Sequence, residues 1–357
     1  MTRRKLSTLA LMTVLALVMA ACGDDDAADT TQAADTTQAA AELTDVVVLA
    51  PNPSAVIWYG LCSAIHQGFA EEEGLNVTFE AVDGSGAVLQ AMAAGRAEFG
   101  IPGPGPLLAA RAEGEEFVAI YNQFAQALFG LVVPADSEYE TVEDLKTGET
   151  IVIGVGTAEG SEVTFVRPIL VDAGLVEGED YEFLPVGDGG PATAAFERGE
   201  IEAYAAAVPD MAIIEARGLD LNELTPPEYK TVFGNGFATT QELIDTNPEM
   251  VQGFINSLVK GSAFVAANPD QGEADCALMN PEEATDPALA RALLDLSIEV
   301  TKPLFDKPYG YYDAVEWDNW NQSLVDDGTL DAPLDDVASA WTNEFVENAY
   351  DAGYGDL

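Results

Sequence analysis

Two kinds of hydrophobic pattern alternate along the first half of the folded chain. "VVVLA" (46–50) is an unbroken apolar, β-branched run, as expected of a strand buried on both faces. After Asn52, Pro53 and Ser54, the apolar residues Ile57, Leu61, Ile65 and Phe69 recur every fourth position, along one helical face. Gly74 ends that helix and "NVTFEAV" (76–82) reads as the next strand. "DGSG" (83–86) turns the chain into a helix that runs to Ala94, with Ser85 as its cap and Gly95 at its C-terminal stop. "AEFGI" (97–101) is the third strand, and "PGPGP" (102–106) follows it.

The same order of events returns further on. "TIVIGVG" (150–156) is a buried strand, "TAEGSE" (157–162) opens a helix ending near Gly174, and "YEFLPV" (181–186) is a strand. "GDGGP" (187–191) turns into a helix through Phe196, Gly199 stops it, and "EIEAYAAA" (200–207) is a strand leading to "VPDMA". A shift of 104 residues, the distance from Gly95 to Gly199, also pairs Val48 with Val152, Phe79 with Phe183, Val82 with Val186 and Glu98 with Glu202. The chain therefore carries two similar βαβαβ lobes, each a small parallel sheet covered by helices.

Parallel α/β sheets bind ligands beyond the carboxyl ends of their strands, where helix N-termini also point. Six loops fall at that edge: 52–54, 84–86 and 102–107 in the first lobe, and 157–161, 188–190 and 208–210 in the second. If the lobes face each other, these loops line one cleft. Candidate ligand contacts are then Asn52, Ser54, Ser85, Pro102, Gly103, Gly105, Thr157, Glu159, Ser161, Asp188 and Asp210. Trp58, Tyr59, Tyr121 and Phe233 lie near the loops and could stack on a ring, and Asn122, Gln123 and Asn235 could read its nitrogens or amides. In "IPGPGPLL" (101–108) three prolines lack an N–H and no Lys-Ser/Thr follows, so the stretch cannot cradle phosphate. It reads as a stiff cleft wall, with Pro106 at the first turn of a helix.

Charge narrows the function classes. With 62 acidic residues against 14 Lys and Arg, the formal net charge is −48, which repels nucleic acid and anionic lipid. The N-terminus has Arg3, Arg4 and Lys5, then an uncharged stretch to Ala21 and the sequence Met19-Ala20-Ala21-Cys22, the layout of an export signal. Residues 22–44 repeat Asp-Thr-Thr-Gln-Ala-Ala from Asp29 and from Asp35 and cannot form a core, so they read as a tether. Cys62 and Cys276 remain, either as one disulfide of an oxidising compartment or as two buried thiols. His66 is the only histidine, with no nucleophile motif around it, so a structural role and no enzymatic activity, cofactor or metal are expected.

Met19-Ala20-Ala21-Cys22 resembles the lipobox of bacterial lipoproteins, in which Cys22 is lipidated and holds the chain outside the cytoplasmic membrane. "GFAEEEGLNVTFEAVDGSGAVLQAMAAGRAEFGI", "TVEDLKTGETIVIGVGTAEGS" and "AAFERGEIEAYAAAVPDMA" resemble the solute-binding proteins of ABC importers for taurine, alkanesulfonates, nitrate and thiamine-pyrimidine precursors. "WTNEFV" (341–346), after "LVDDGTLDAP", is similar to the end of the thiamine-pyrimidine members. The resemblance implies the α/β periplasmic-binding-protein type II fold, two lobes joined by two hinge strands, with an ABC permease and ATPase as partners. On that pattern, 45–132 is lobe 1, 133–230 is lobe 2, and 231–357 returns through a hinge to pack helices on lobe 1. The hinge crossings would fall near 124–133 and 230–240.

None of the six loops contains Lys or Arg, whereas Glu159, Asp188 and Asp210 are acidic, so a neutral or cationic heteroaromatic solute fits better than an anion. A pyrimidine precursor of thiamine or riboflavin is an example. The alternatives are a sulfonate, taurine or nitrate binder of the same family, a ligand-sensing module, or an enzyme resembling the thiamine-pyrimidine synthases. The last carry a cysteine-rich motif, and the folded part here has only Cys62 and Cys276. The lipobox reading has a direct check: detergent phase partitioning should place the exported protein in the detergent phase and Cys22→Ser in the aqueous phase. Identical partitioning of the two would remove the lipid anchor.

Overall fold

A computed structural model describes residues 43–302 and 307–356. The signal at 1–21, Cys22 and all but the last two residues of the 22–44 tether lie outside the described residues. No helix among those described is long and apolar enough to cross a membrane.

The first lobe runs β1 (Thr44–Ala50), α1 (Tyr59–His66), α2 (Phe69–Glu72), β2 (Leu75–Ala81), α3 (Gly84–Ala93), β3 (Phe99–Gly100), α4 (Pro104–Ala112) and β4 (Phe117–Tyr121). The second runs β5 (Phe129–Pro134), β6 (Ile151–Val155), α5 (Ser161–Asp172), β7 (Tyr181–Pro185), α6 (Gly190–Glu197), β8 (Ala203–Ala207), α7 (Val208–Ala216) and β9 (Leu221–Glu223). β10 (Phe237–Thr240) returns to the first lobe. Then come α8 (Gln241–Thr246), α9 (Pro248–Ala267), α10 (Pro269–Met279), α11 (Pro287–Thr301), α12 (Ala314–Asp326) and α13 (Glu344–Asp351).

Each lobe has a five-stranded mixed sheet, ordered β2-β1-β3-β10-β4 in one and β7-β6-β8-β5-β9 in the other. The first three strands of each are parallel, and the fourth, arriving from the other side of the molecule, is antiparallel. These are the two similar lobes that the repeat implied, each completed by strands from the crossings. β5 belongs wholly to the second sheet, so the first crossing occupies 122–128 and lobe 2 starts earlier than residue 133. The crossing segments pair with each other: Phe124 N–H donates to Asn235 O at 3.2 Å and Gly234 N–H to Phe124 O at 2.8 Å.

The repeat persists in the hydrogen bonds, with one adjustment. Glu98 accepts from Val47 N–H at 2.8 Å, and Glu202 accepts from Val152 N–H at 2.7 Å. Val48 pairs with Phe79 and Phe99, whereas it is Ile153 that pairs with Phe183 and Ala203. The equivalent of Val48 is therefore Ile153 rather than Val152. Both are fully buried, and alternation within a strand makes a one-residue slip a change of face.

The C-terminal helices do more than cover lobe 1. α9 and α10 lie on α1, and α13 lies on α9. α11 touches both the start of α1's segment and α7 of lobe 2, while α12 touches α4 and α5, so these two span the lobes. Phe233 is fully buried within Tyr312, Trp317 and Trp320, with ring centroids 5.3, 4.9 and 6.3 Å away. Cys62 of α1 and Cys276 of α10 form a disulfide, settling the choice that the spacing left open. It closes a loop of 214 residues, and cross-linking so long a loop restricts the unfolded chain strongly. Replacing both cysteines by serine should lower stability by about 2–5 kcal/mol. A denaturant midpoint unchanged from wild type would show that the non-covalent packing of α1 on α10 suffices.

Candidate functional site

The lobes meet along helix N-termini. Ser85, in the first turn of α3, and Ser161, opening α5, are both buried, with their hydroxyl oxygens 2.7 Å apart. Gly103 N–H donates to Ser85 Oγ at 3.1 Å, which holds the serine from behind. The close approach depends on glycine: a Cβ on Gly103 would stand 2.0 Å from Ser161 Oγ, and one on Gly105 would stand 2.6 Å from Thr164 Oγ1. "PGPGP" is thus a seam between lobes. Pro102, Gly103 and Gly105 do not line the main cavity; their role is to let α5 come close.

Beside that seam lies a cavity of about 590 Å³, within the range of small-molecule sites. Its apolar wall includes Ile57, Trp58, Leu128, Phe129, Leu289 and Leu293. Of the residues expected from the sequence, Asn52, Ser54, Trp58, Ser85, Thr157, Ser161, Asp188, Asp210 and Asn235 line it together. They come from β-strand ends of both lobes and from the return crossing. Asn235 Nδ2 donates to Ile101 O at 3.0 Å, leaving its buried Oδ1 without a partner among the described residues. Trp58 packs on Phe124 of the hinge at 5.4 Å, and its buried Nε1–H is likewise unpartnered among them.

Four other expected residues point elsewhere. Tyr59 and Tyr121 are core side chains between lobe 1 and the C-terminal helices; Tyr121 OH lies 3.1 Å from Ser262 Oγ. Asn122 Nδ2 donates to Tyr311 O at 3.2 Å, away from the cavity. Glu159 lines a second interlobe recess of about 410 Å³, with Gly86, Leu89, Val163 and Arg167. Gln123 is also buried, donating to Ile57 O at 3.2 Å. These side chains fill the junction of hinge and C-terminal helices, whose packing back over the hinge is not encoded in local pattern.

The lobe 2 wall is acidic. Glu162 Oε1 accepts from Thr157 N–H at 3.0 Å, yet burial and then the charge of Asp188 raise its pKa to about 7. Asp210 is 8% exposed; burial first, then Asp188 and Glu162, hold its carboxyl well above the usual range, while the neighbouring Tyr204 hydroxyl donates to Gly187 O at 3.3 Å. Asp188, in the cavity wall, is raised as well, first by desolvation there and then by Asp83 across the lobes. Burial also raises the Tyr204 hydroxyl far above its ordinary value, so it stays a donor.

Sequence reasoning missed Glu162, Tyr204 and Arg217. Glu162 directly follows Ser161, and Tyr204 is the lone polar side chain in "AYAAA", so both carried a weak signal. Arg217 follows α7, outside every loop considered, yet it lines the cavity mouth against the start of α6, where a Cβ on Gly190 would be 2.6 Å from Nη1. Also missed were Asn280, Glu282, Glu283 and the start of α11, which close the third side.

A two-lobed fold with its cavity between the lobes at the strand ends defines a solute-binding architecture. Residues 58–272 match the model of the NMT1/THI5-like family, and the chain belongs to that family. It is 28% identical over 294 residues to the riboflavin-binding protein RibY of Chloroflexus aurantiacus, covering 79% of this chain and 80% of that one. Among solved structures, a Bordetella bronchiseptica RB50 protein superposes with a TM-score of 0.70 at 24% identity, covering 87% of this chain and 98% of the other. The alkanesulfonate-binding protein SsuA of Xanthomonas axonopodis pv. citri, bound to MOPS, gives 0.66 at 18% identity, covering 85% and 100%. These two likenesses are likenesses of fold.

The raised carboxyls make a pH prediction. A carboxyl whose folded pKa is raised contributes stability below its unfolded value, and that contribution is lost as pH rises through the folded value. For Glu162 the window runs from the ordinary 4.5 to about 7. Glu162→Gln keeps the bond to Thr157 and is neutral throughout. The fall in Tm of the ligand-free protein between about pH 5 and pH 8 should therefore be smaller in the variant, by roughly 2 °C or more. Parallel Tm profiles would mean that Glu162 is already solvated and ionised.

Proposed function

We propose that the chain is an extracytoplasmic solute-binding lipoprotein, anchored through Cys22, that captures a neutral or cationic nitrogen heteroaromatic compound and presents it to an ABC permease and ATPase. The observation carrying this reading is the charge of the cavity lining. Asp188, Glu282 and Glu283 line it as acidic residues, beside Glu162 and Asp210, whose raised carboxyls carry less of the charge, with Arg217 as the basic residue at its mouth. A site so lined penalises a desolvated anion and accepts hydrogen-bond donors. The unpartnered Trp58 Nε1–H and Asn235 Oδ1 supply a donor and an acceptor beside an apolar wall, the combination that a ring with carbonyl and N–H groups satisfies.

Riboflavin is one such compound: an uncharged ring system whose sugar-alcohol hydroxyls can donate to the carboxylates. The RibY relative named for binding it supports the choice. The solute is bound and released without chemical change; ligand and lobe closure are linked because cavity residues come from both lobes. Sulfonates and nitrate are the runner-up class, favoured only by Arg217.

Calorimetry against riboflavin, an aminopyrimidine, taurine and nitrate separates the classes. One of the two ring compounds should bind with a Kd at or below about 1 μM, with taurine and nitrate at least a hundredfold weaker. Trp58→Ala should weaken ring binding by roughly tenfold or more through lost stacking and the lost N–H. Tightest binding to taurine or nitrate refutes the proposal.

A further inference from the structure

The segment joining α10 to α11 reaches back over the cleft and grips lobe 1. Asn280 Nδ2 donates to Pro53 O at 2.8 Å, and Asn280 Oδ1 accepts from Glu282 N–H at 3.1 Å. Glu283 goes further in. Its Oε1 accepts from Ser54 Oγ at 2.5 Å, and its Oε2 accepts from Ala55 N–H at 2.9 Å and Val56 N–H at 3.2 Å. Two backbone amides and a hydroxyl converging on one carboxylate form an oxyanion seat, and they do so in the cavity wall. Trp58, whose buried Nε1–H is unpartnered among the described residues, lines the same cavity. The Cys62–Cys276 disulfide joins α1, which follows the seat, to α10, which leads into the Glu283 segment, so seat and occupant are held in register.

We propose that Glu283 is a specificity-determining residue: its carboxylate fills, from within the chain, the cavity's anion seat and so bars sulfonates and similar oxyanions from it. This deepens the neutral-or-cationic reading of the cavity and rests on it for the identity of the solute that remains. An incoming sulfonate must either displace a covalently tethered carboxylate or sit beside it, and Glu282 and Asp188 line the same cavity. Tethering gives the internal carboxylate a high effective concentration, so millimolar external anion competes poorly.

The test is calorimetry with methanesulfonate at constant ionic strength, on the full mature protein, for wild type, Glu283→Ala and Glu283→Gln, with riboflavin titrated in parallel. Wild type should give no saturable heat up to about 10 mM, and Glu283→Ala should bind methanesulfonate with a Kd at or below about 1 mM. Glu283→Gln keeps the shape of the strap without its charge and should fall between them; it decides the matter if the alanine variant does not fold. Folded variants no better than wild type at binding methanesulfonate overturn the inference, as does wild type already binding it as tightly as they do. The riboflavin arm separates the two claims. Ring binding by wild type without a gain of anion binding in the variants sinks only the role of Glu283. A gain of anion binding with no ring bound sinks only the choice of solute.

Discussion

The contact on which the site depends is the 2.7 Å approach of Ser85 to Ser161, two hydroxyls at the first turns of helices from opposite lobes. Both helices bring unpaired N–H groups and a partial positive charge to the same line, an arrangement that would repel without acceptors between them. The two hydroxyls meet on that line, and Ser85 Oγ also accepts from Gly103 N–H, the residue leading into α4. Glycine at 103 and 105 removes the side chains that would keep α5 at a distance. With the lobes brought this close, the strand ends of both sheets enclose one cavity.

Charge inside that cavity is arranged unevenly. Lobe 2 supplies Glu162, Asp188 and Asp210; burial raises all three, with added repulsion from Asp188 on Glu162 and Asp210 and from Asp83 of lobe 1 on Asp188. Lobe 1 supplies backbone amides and Ser54, and these already hold Glu283. A solute entering such a space meets acceptors on one wall and satisfied donors on the other. Among the described residues lining the cavity, the buried side-chain groups left unsatisfied are the Trp58 indole N–H and the Asn235 amide oxygen. Desolvated groups of this kind cost free energy until a ligand pairs them, which makes them points of selectivity.

The parts of the fold legible in the sequence are those set by local pattern. The repeat from Val48 to Glu98 and from Ile153 to Glu202 was visible because strand, turn and helix each have their own period; the slip at the first strand was not, since Val152 and Ile153 are both β-branched. Loops at strand ends, and so Ser85, Thr157, Ser161, Asp188 and Asp210, could be placed from topology alone. Tyr59, Tyr121 and Asn122 were misplaced because the C-terminal helices cover that side of the hinge, and nothing in the flanking residues signals it. Glu283 was out of reach because the C-terminal segment brings it to the cavity from far along the chain, and Arg217 because it stands at the far end of α7, outside the strand-end loops. The disulfide, with two partners available, could be posed as a question but only answered by the packing of α1 on α10.

Charge selectivity toward a ring compound is the central claim, and one ring with and without an added phosphate isolates it. Riboflavin and its phosphate ester share the same heteroaromatic system, so their affinity ratio reports the field of the cavity rather than its shape. Like-charge juxtaposition in a desolvated site costs several kcal/mol, so the ester should bind roughly a hundredfold more weakly than riboflavin at physiological ionic strength. Equal or tighter binding of the ester would contradict an anion-excluding cavity.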